Sequence, residues 1–307
     1  MKPNIAVVGS LNMDIVVHLE QLPKEGQTLL GEKMLEVAGG KGANQAVAMG
    51  KLQAGVSMIG KVGSDHYASH LLDSLKNSNV ETQHILVSKN RTGIALVTVE
   101  KSGKNHIVVS PGANFELTPE DILNQREVID QCEIVVLQLE IPLETVKYTL
   151  DLAKKAKKTT ILNPAPATVI SQDILENVDI LIPNEQELYE MSEIEQDQYT
   201  IQEAAQIILD KGVKSVIVTL GEKGCCYVDH EKCKMYSAYQ VKTQDTTAAG
   251  DSFIGGFVAS YIKSKDIDAA IRQAQKVAAI AVTRIGAQSS LPTLEEVQQF
   301  EKTINYL

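Results

Sequence analysis

The sequence predicts an α/β protein with a three-layer α/β/α core, a mostly parallel sheet and a small antiparallel β lid. Two observations support this fold class. In the second half of the chain, short apolar runs with the length of buried strands alternate with segments of helical period, as expected for a parallel sheet covered on both faces. Two regions in the first half instead alternate apolar and polar residues, as half-buried strands do.

The composition narrows the possible classes of protein. The chain has 307 residues, enough to bury a full core without disulfides or metals, and its formal net charge is −10. This charge disfavours nucleic acid and anionic membranes as partners. An apolar strand near residue 5 with no basic leader, and the lack of a bilayer-length apolar stretch, predict a cytoplasmic protein. The four cysteines form no Cys-x-x-Cys pair and are expected to be reduced, packed thiols: Cys132, Cys225, Cys226 and Cys233.

The first buried strand, Asn4 to Gly9, is followed by two polar residues, Asn12 and Asp14. Ligands collect at strand ends in α/β sheets, so these side chains are candidates for contacts with the hydroxyl groups of a small molecule. The alternative is a turn in which each side chain bonds its own backbone.

Three glycines within four residues, Gly39, Gly40 and Gly42, precede an Ala-rich helix. Glycines let the backbone approach a ligand closely, and Lys41 and Asn44 add donors on the first helical turn. The run is not a P-loop, because glycine follows the lysine, and it is not a Gly-x-Gly-x-x-Gly fingerprint. A P-loop or nicotinamide site is therefore disfavoured, and a flexible turn with a solvated lysine is the alternative.

Strands outside the βα rhythm predict the lid, within about residues 13–37 and 92–111. Ile15 to Leu19 and Thr28 to Val37 form one half-buried pair. Thr92 to Glu100 and His106 to Ser110 form another, around the turn at residues 101–104. Because such a sheet leaves an apolar face uncovered, we expect two lids to pair in a homodimer.

The remaining chain alternates strands and helices without repeats or linkers, which predicts a single domain over residues 1–307. The predicted strands are Ile134 to Leu139, Thr160 to Asn163, Ile180 to Ile182 and Ser215 to Leu220. The predicted helices are Leu143 to Ala156, Asn184 to Met191 and Ile201 to Lys211. His66 and His70 stand four apart on an earlier helix, but with no third ligand nearby they are predicted to be solvated.

Polar residues follow several of these strands. Glu140 comes after one strand, and Asn184-x-x-Glu187 opens a helix after another. Asn184 and Glu187 have the spacing of a helix cap, and a carboxylate there also suits magnesium held through water. The glycine-bounded turn at residues 219–224 is suited to lie over an adenine or to be a simple hairpin.

The stretch Asp245 to Gly256 has the features of a phosphate-binding turn. Met235 to Val241 alternates like a strand, and the helical spacing of the later apolar residues puts Ala248, Ala249 and Gly250 at a helix start. Helix N-termini attract anions, and small residues let a phosphate approach. Asp251 in this turn would repel a phosphate, so it either caps the helix or accepts a proton during phosphoryl transfer.

Four of these stretches occur in an order that resembles the ribokinase-like (PfkB-type) carbohydrate kinases. They are Asn12-Met13-Asp14, Gly39 to Asn44, Asn184-x-x-Glu187 and Asp245 to Asp251, and the resemblance runs from about residue 4 to residue 300. It implies ATP-dependent phosphorylation of D-ribose at O5. In this reading Asp251 is the general base, and the amides of Ala248 to Asp251 form an anion hole for the γ-phosphoryl group.

The resemblance also implies binding roles for matching positions. It implies sugar contacts at Asn12, Asp14, Gly40, Lys41, Asn44, Glu140 and Asp251. It implies ATP contacts at Asn184, Thr219, Leu220, Gly221, Glu222, Lys223, Gly224, Ala249, Gly250 and Gln275. It implies a potassium site at Asp245, Thr247, Val282, Ile285 and Ala287, and magnesium ordered through water by Glu187.

Alternative functions differ in the substrate or in the presence of catalysis. A phosphorylated hexose would require cations beyond Lys41 and Arg91, and a nucleoside would favour an aromatic platform, yet the chain has no Trp and four Phe. A small neutral sugar is therefore expected, with deoxyribose and fructose left open beside ribose. The other class is a non-catalytic sugar or nucleotide sensor, for which a carboxylate at position 251 would be dispensable.

Overall fold

The structure, a computed structural model, describes residues 3–101 and 105–304 and contains two β-sheets. In chain order the strands are β1 (Ile5–Val8), β2 (Asn12–Leu19), β3 (Lys33–Gly39), β4 (Val56–Val62), β5 (Val80–Glu81), β6 (Ile85–Val87), β7 (Gly93–Glu100), β8 (Asn105–Ser110), β9 (Ile134–Leu137), β10 (Thr159–Leu162), β11 (Ile180–Leu181), β12 (Ser215–Thr219), β13 (Cys225–Asp229) and β14 (Cys233–Tyr236). The helices are α1 (Lys41–Lys51), α2 (His66–Asn77), α3 (Pro119–Asn124), α4 (Arg126–Gln131), α5 (Leu143–Lys155), α6 (Gln172–Leu175), α7 (Glu185–Ser192), α8 (Ile201–Asp210), α9 (Ala249–Ser264), α10 (Ile267–Ala281) and α11 (Leu294–Ile304).

The large sheet has ten strands in the order β14-β13-β12-β11-β10-β9-β1-β4-β5, with β6 also paired to β4. All pairs from β12 to β5 are parallel, and the last two strands pair antiparallel. Ile5 and Val7 face the core under α1, α2, α9 and α10, while Ala6 and Val8 face the core under α3 to α8. Alternate strand residues point to opposite faces, so these two cores make three layers, and the predicted fold class is confirmed.

The four-stranded lid has the order β3-β2-β7-β8. The two predicted antiparallel pairs are confirmed, and they are joined by a parallel pairing of β2 with β7. The parallel pair arises because both strands leave the core at one point, where Asn12 lies opposite Gly93, and only β3 and β8 run back. Strand β3 begins at Lys33, later than predicted, and residues 102–104 of the predicted turn lie outside the described residues.

Two further details differ from prediction. Strand β14 ends at Tyr236, and residues 237–248 form neither strand nor helix, so the predicted strand to Val241 is too long. Cys233 is exposed because β14 is the edge strand, whereas the other three thiols are buried as expected. Burial raises the pKa of Cys132 to about 11 and that of Cys225 and Cys226 to about 12, which keeps these thiols protonated and unreactive.

Two features are absent from residues 3–101 and 105–304. No helix within these ranges is long and apolar enough to cross a membrane. The same residues contain no group of three or more His, Cys, Asp or Glu side chains arranged to hold a metal ion, and His66 and His70 are both exposed, as expected of solvated histidines.

Candidate active site

The carboxylate of Asp251 lies in the first turn of α9 and is 7% exposed. The N-cap of this helix is Ala248, in the left-handed conformation at φ 58° and ψ 15°, so Asp251 does not occupy the capping position. Instead, Asn44 Nδ2 donates to Asp251 Oδ2 at 2.9 Å, and Gln45 Nε2 donates to Asp251 Oδ1 at 3.0 Å. Both donors come from α1, so Asp251 joins the two helices on which the sequence placed the candidate sugar and phosphate contacts.

A single lysine lies among four acidic side chains in this site. Burial lowers the pKa of Lys41, but attraction from Asp251, Glu140, Glu187 and Asp14 outweighs burial, and the net shift of the pKa is upward. The ammonium therefore stays charged. Together these residues form what we call the Lys41 cluster, in which one cation offsets part of a large negative charge.

Burial also raises the pKa values of three carboxyl groups in the Lys41 cluster, those of Asp14, Glu187 and Asp251. Burial, Glu140 and Asp251 raise the pKa of Asp14 to about 7, against a lowering effect of Lys41. Burial likewise raises the pKa of Asp251, although Lys41 and the hydrogen bonds from Gln45 and Asn44 oppose it. A carboxyl group whose pKa approaches the working pH is a better proton acceptor than an ordinary surface aspartate.

Asn12 has its amide orientation set by a buried neighbour, Asn114. The backbone N–H of Leu11 donates to Asn114 Oδ1 at 2.9 Å, and Asn114 Nδ2 donates to the Leu11 carbonyl at 3.0 Å, so the amide of Asn114 can face only one way. Its Nδ2 also donates to Asn12 Oδ1 at 2.7 Å. Asn12 therefore keeps its own amide nitrogen as the group available to a ligand.

Glycines flank Asn12 on both neighbouring strands, Gly39 on β3 and Gly93 on β7. A Cβ on Gly39 would lie 2.2 Å from Asp14 Oδ2, and one on Gly93 would lie 2.2 Å from Asn12 Oδ1. Gly40 has φ 88°, and a Cβ there would lie 2.7 Å from the Asn12 nitrogen. The predicted need for glycine is thus explained by the close packing of the candidate sugar ligands.

Glu140 follows β9 and connects three segments at the carboxyl end of the sheet. Its Oε2 accepts from Ser10 Oγ at 2.5 Å and from the backbone N–H of Lys41 at 3.1 Å. Ser10 follows β1, and Lys41 is the first residue of α1. The structure therefore brings Glu140 to the predicted sugar residues of α1.

Most of the residues predicted to bind ATP follow strands β11 and β12 of the large sheet. Asn184 and Glu187 form a reciprocal capping box on α7, and Asn184 bridges to Thr219 at the end of β12. Residues 219–224 are a turn between β12 and β13 that includes a short 3-10 helix. Gln275 is buried on α10 and donates from Nε2 to the Tyr236 carbonyl at 2.9 Å, so its amide is committed to the β14 side.

The predicted potassium residues come from two segments that lie against each other. Asp245 Oδ1 accepts from the N–H and hydroxyl of Thr247, Asp245 Oδ2 accepts from the Gly286 N–H at 2.8 Å, and the Val282 carbonyl accepts from the Asp245 N–H. Burial raises the pKa of Asp245, but these hydrogen bonds outweigh it and lower the pKa overall. The segment also contains Ile285, which is exposed, and Ala287, which is buried.

Sequence reasoning missed several residues of this region as site residues. They are Ser10, Gln45, Asn114, Gln138 and Asn163, all buried. For Gln45 a signal was present, since between its terminal lysines α1 contains only two polar residues, Asn44 and Gln45. A polar side chain in such a helix needs buried partners. For the others the signal lies in contacts that only the fold creates.

Comparison with known proteins gives a consistent result. The chain matches the pfkB family of carbohydrate kinases over residues 2–294. A ribokinase from Haemophilus influenzae is 39% identical over 302 residues, covering 98% of this chain and 99% of the relative. A deoxyribokinase from Salmonella typhi is 38% identical over 300 residues, covering 97% of this chain and 98% of the relative.

A solved structure extends the similarity to three dimensions. The structure of Arabidopsis thaliana ribokinase complexed with ribose and ATP has a TM-score of 0.90 and 32% sequence identity, and the match covers 98% of this chain and 99% of that one. Full-length sequence similarity, the three-layer fold with its lid, and a buried aspartate at the start of α9 agree. The protein is a member of the pfkB family of carbohydrate kinases.

Proposed function

We propose that the protein transfers the γ-phosphoryl group of ATP to O5 of D-ribose, with Asp251 as the general base. The observation that carries this proposal is the setting of Asp251, a buried carboxylate held by two amides at a helix N-terminus beside Lys41. The full-length similarity to a ribokinase supports ribose as the sugar.

The reaction needs a proton acceptor beside a site for negative charge. Asp251 accepts the proton of the O5 hydroxyl as that oxygen attacks the γ-phosphoryl group, a role worth on the order of 10²–10⁴-fold in rate. The backbone N–H groups of Ala248, Gly250 and Asp251 and the positive end of α9 receive the developing charge, whereas the Ala249 N–H donates to the Thr246 carbonyl at 3.1 Å. Lys41 offsets the negative charge of the nearby carboxylates.

We assign binding of the sugar to residues from β2, the start of α1 and the end of β9. Amide donors, carboxylate acceptors and the Lys41 ammonium suit the hydroxyl groups of a neutral sugar. These residues are Asn12, Asp14, Gly40, Lys41, Asn44 and Glu140. We assign binding of ATP to Asn184, the 219–224 turn, Ala249 and Gly250, and to Gln275 through its amide oxygen, because its amide nitrogen donates to the Tyr236 carbonyl.

Two cations fit the residues present. Magnesium prefers oxygen ligands and keeps several waters, so a single carboxylate such as Glu187 suffices to order it near the phosphates. Potassium fits the Asp245 carboxylate and the backbone carbonyl oxygens of the 282–287 segment, which the hydrogen bond from the Gly286 N–H to Asp245 Oδ2 holds against it. Bound cations would neutralise phosphate charge and stabilise the turn before α9. The hydrogen bonds from Thr247 and Gly286 lower the pKa of Asp245 and so keep its carboxylate ionised for a cation.

Measurement of ADP release tests the proposal. Asp251→Asn should fold and bind ribose, with kcat lower by on the order of 10²–10⁴-fold, because an amide cannot accept the proton. Asp73→Asn, which removes an exposed carboxylate on α2, is the control and should keep normal kcat. A near-normal kcat in Asp251→Asn would exclude the base.

The deoxyribokinase relative makes 2-deoxyribose the second candidate substrate. Values of kcat/KM for ribose, deoxyribose and fructose, each with potassium and with tetramethylammonium in its place, separate these readings. We expect the highest value for ribose and a lower rate without potassium. A preference for deoxyribose would keep the mechanism and show that the roles assigned to the sugar-contact residues are wrong. No ADP release with any sugar would favour a non-catalytic sensor.

A further inference from the structure

Gln45 is fully buried one residue after Asn44, and every polar atom of its amide is used. Its Nε2 donates to Asp251 Oδ1 at 3.0 Å and to Asn163 Oδ1 at 3.2 Å. Its Oε1 accepts from Gln138 Nε2 at 2.6 Å. These contacts link α1 and α9 to the ends of β9 and β10, so Gln45 lies where four elements of the core meet.

The orientation of the Gln45 amide is determined by a backbone group. Asn163 Nδ2 donates to the carbonyl of Ile182 at 3.0 Å, and a carbonyl can only accept. The other end of the Asn163 amide is therefore Oδ1, which must face a donor. That donor is Gln45 Nε2, whose second hydrogen points to Asp251. A rotated Gln45 amide would place its oxygen against both Asn163 Oδ1 and Asp251 Oδ1.

A neutral donor in this position has a specific electrostatic effect. Asp251 is buried and interacts with Lys41 and Asn44 from α1, with Glu140 at the end of β9, and with the carboxyl groups of Asp14 and Glu187. Burial and the like charges favour the protonated form of Asp251, while hydrogen bonds to its oxygens favour the ionised form. A second cation there would make the carboxylate too weak a base, whereas an amide lowers its proton affinity moderately.

We propose that Gln45 is a positioning residue of the phosphoryl-transfer reaction, which holds the Asp251 carboxylate in one orientation and keeps it ionised. This inference rests on the proposed role of Asp251 as the general base. Gln45 acts through Asp251 and makes no contact with substrate in this scheme.

The pH dependence of kcat tests the inference, because the acid limb reports ionisation of the base in the ternary complex. Gln45→Met keeps an unbranched side chain of similar length and removes the donor. We expect a kcat about tenfold lower and an acid limb about one pH unit higher, since losing a hydrogen bond to a charged group raises the pKa of an acid. The KM for ribose should change less than about threefold, because Gln45 does not touch the sugar.

Thr145→Val is the matched control for loss of a buried hydrogen bond. Thr145 Oγ1 donates to the Leu117 carbonyl at 2.6 Å on the opposite face of the sheet, so this variant should lose stability without moving the acid limb. If Gln45→Met does not fold, Asn163→Leu releases the amide of Gln45 from its second partner, and the acid limb should move in the same direction.

Several outcomes would overturn the inference. An unmoved acid limb in a folded Gln45→Met or Asn163→Leu variant would reduce Gln45 to a packing role. A rise in the KM for ribose with an unchanged limb would make it a substrate contact. Asp251→Asn is measured in parallel: if that variant loses turnover while Gln45→Met behaves as wild type, only the role of Gln45 fails, whereas a normal kcat in Asp251→Asn removes both.

Discussion

Lys41 balances acidic side chains that would otherwise repel one another in this site. Four carboxyl groups, those of Asp14, Glu140, Glu187 and Asp251, interact with it. Burial, together with the like charges of Glu140 and Asp251, raises the pKa of Asp14 to about 7 against the lowering effect of Lys41, so the site retains a proton into the neutral range. When Asp14 is protonated it is neutral, so more of the positive charge of Lys41 is available to offset the charge of Asp251.

The raised pKa of Asp14 predicts a pH-dependent effect on stability. Its pKa is about 7 in the folded protein against an ordinary value of 3.8, so between these values the folded state binds more protons than the unfolded state. The stability contributed by this group therefore falls as the pH rises through that window and is lowest above it. Asp14→Asn should raise the Tm of the sugar-free protein at pH 8, by about 2–4 °C per kcal/mol relieved, and not at pH 4.

Thermal unfolding at several pH values checks this prediction. Asp73→Asn serves as the control, because its carboxylate is exposed and its removal should give the same small change at each pH. A gain in Tm for Asp14→Asn that is equal at pH 4 and pH 8, or larger at pH 4, would contradict the raised pKa.

Helices α1 and α9 pack closely enough for Asn44 and Gln45 of α1 to donate hydrogen bonds to Asp251 of α9. One turn further along each helix, Gly255 faces Ala48. Gly255 comes four residues after Asp251, and Ala48 comes four residues after Asn44. Side chains four apart on a helix share a face. The glycine contact therefore sets the distance across which Asn44 and Gln45 reach Asp251.

Gly255→Ala should separate these helices. The added Cβ would lie 2.3 Å from the Cβ of Ala48, far inside contact distance, and neither atom belongs to a flexible side chain. We expect a loss of about 1–3 kcal/mol in the free energy of unfolding and a lower kcat, because the hydrogen bonds to Asp251 lengthen. Urea denaturation and ADP release measure the two effects.

Two further variants make this prediction specific to the helix contact. Ala48→Gly in the Gly255→Ala background should restore part of the stability, because it removes the opposing methyl group. Gly250→Ala, on the same helix with nothing within 4 Å of the added atom, should not destabilise the protein, since alanine favours helix. An equal loss in the free energy of unfolding for Gly250→Ala and Gly255→Ala would refute the packing explanation.

At the scale of the whole molecule, the lid carries exposed apolar residues that the single chain does not cover. Leu96 is 52% exposed and Val108, opposite it on β8, is 66% exposed. Met34 on β3 is also mostly exposed and points to the same face of the lid as Leu96 and Val108. Groups of this kind mark interaction surfaces, and we propose that two lids pair in a homodimer.

Sedimentation velocity tests the proposed dimer. Leu96→Asp places a charge in the middle of the exposed lid surface and should convert the dimer to a monomer, because a carboxylate buried without a partner is costly. Met235→Asp, at a site on β14 that is 56% exposed and away from the lid, should leave the dimer intact. A monomeric wild-type protein, or a dimer unaffected by Leu96→Asp, would rule out pairing through this surface.

Much of the fold was predictable because its signals are local. Apolar runs and helical period located most strands and helices, and the small residues before Phe253 placed the start of α9 correctly at Ala249. The end of β14 was missed because the alternating pattern continues to Val241 although pairing with β13 stops at Tyr236. The same limit applies to Cys233, whose exposure depends on the position of β14 at the sheet edge.

The sequence by itself determined the α/β class, the lid and the identity of the chemical groups, because periodicity, glycine spacing and residue type act over a few neighbouring positions. Only the tertiary structure decided which groups meet. Asn44 and Asp251 are 207 residues apart in the chain, and Leu11 and Asn114 are 103 apart. The roles of Gln45 and Asn114 depend on such contacts, because the orientation of an amide and the pKa of a carboxyl group are properties of what surrounds them in the folded chain.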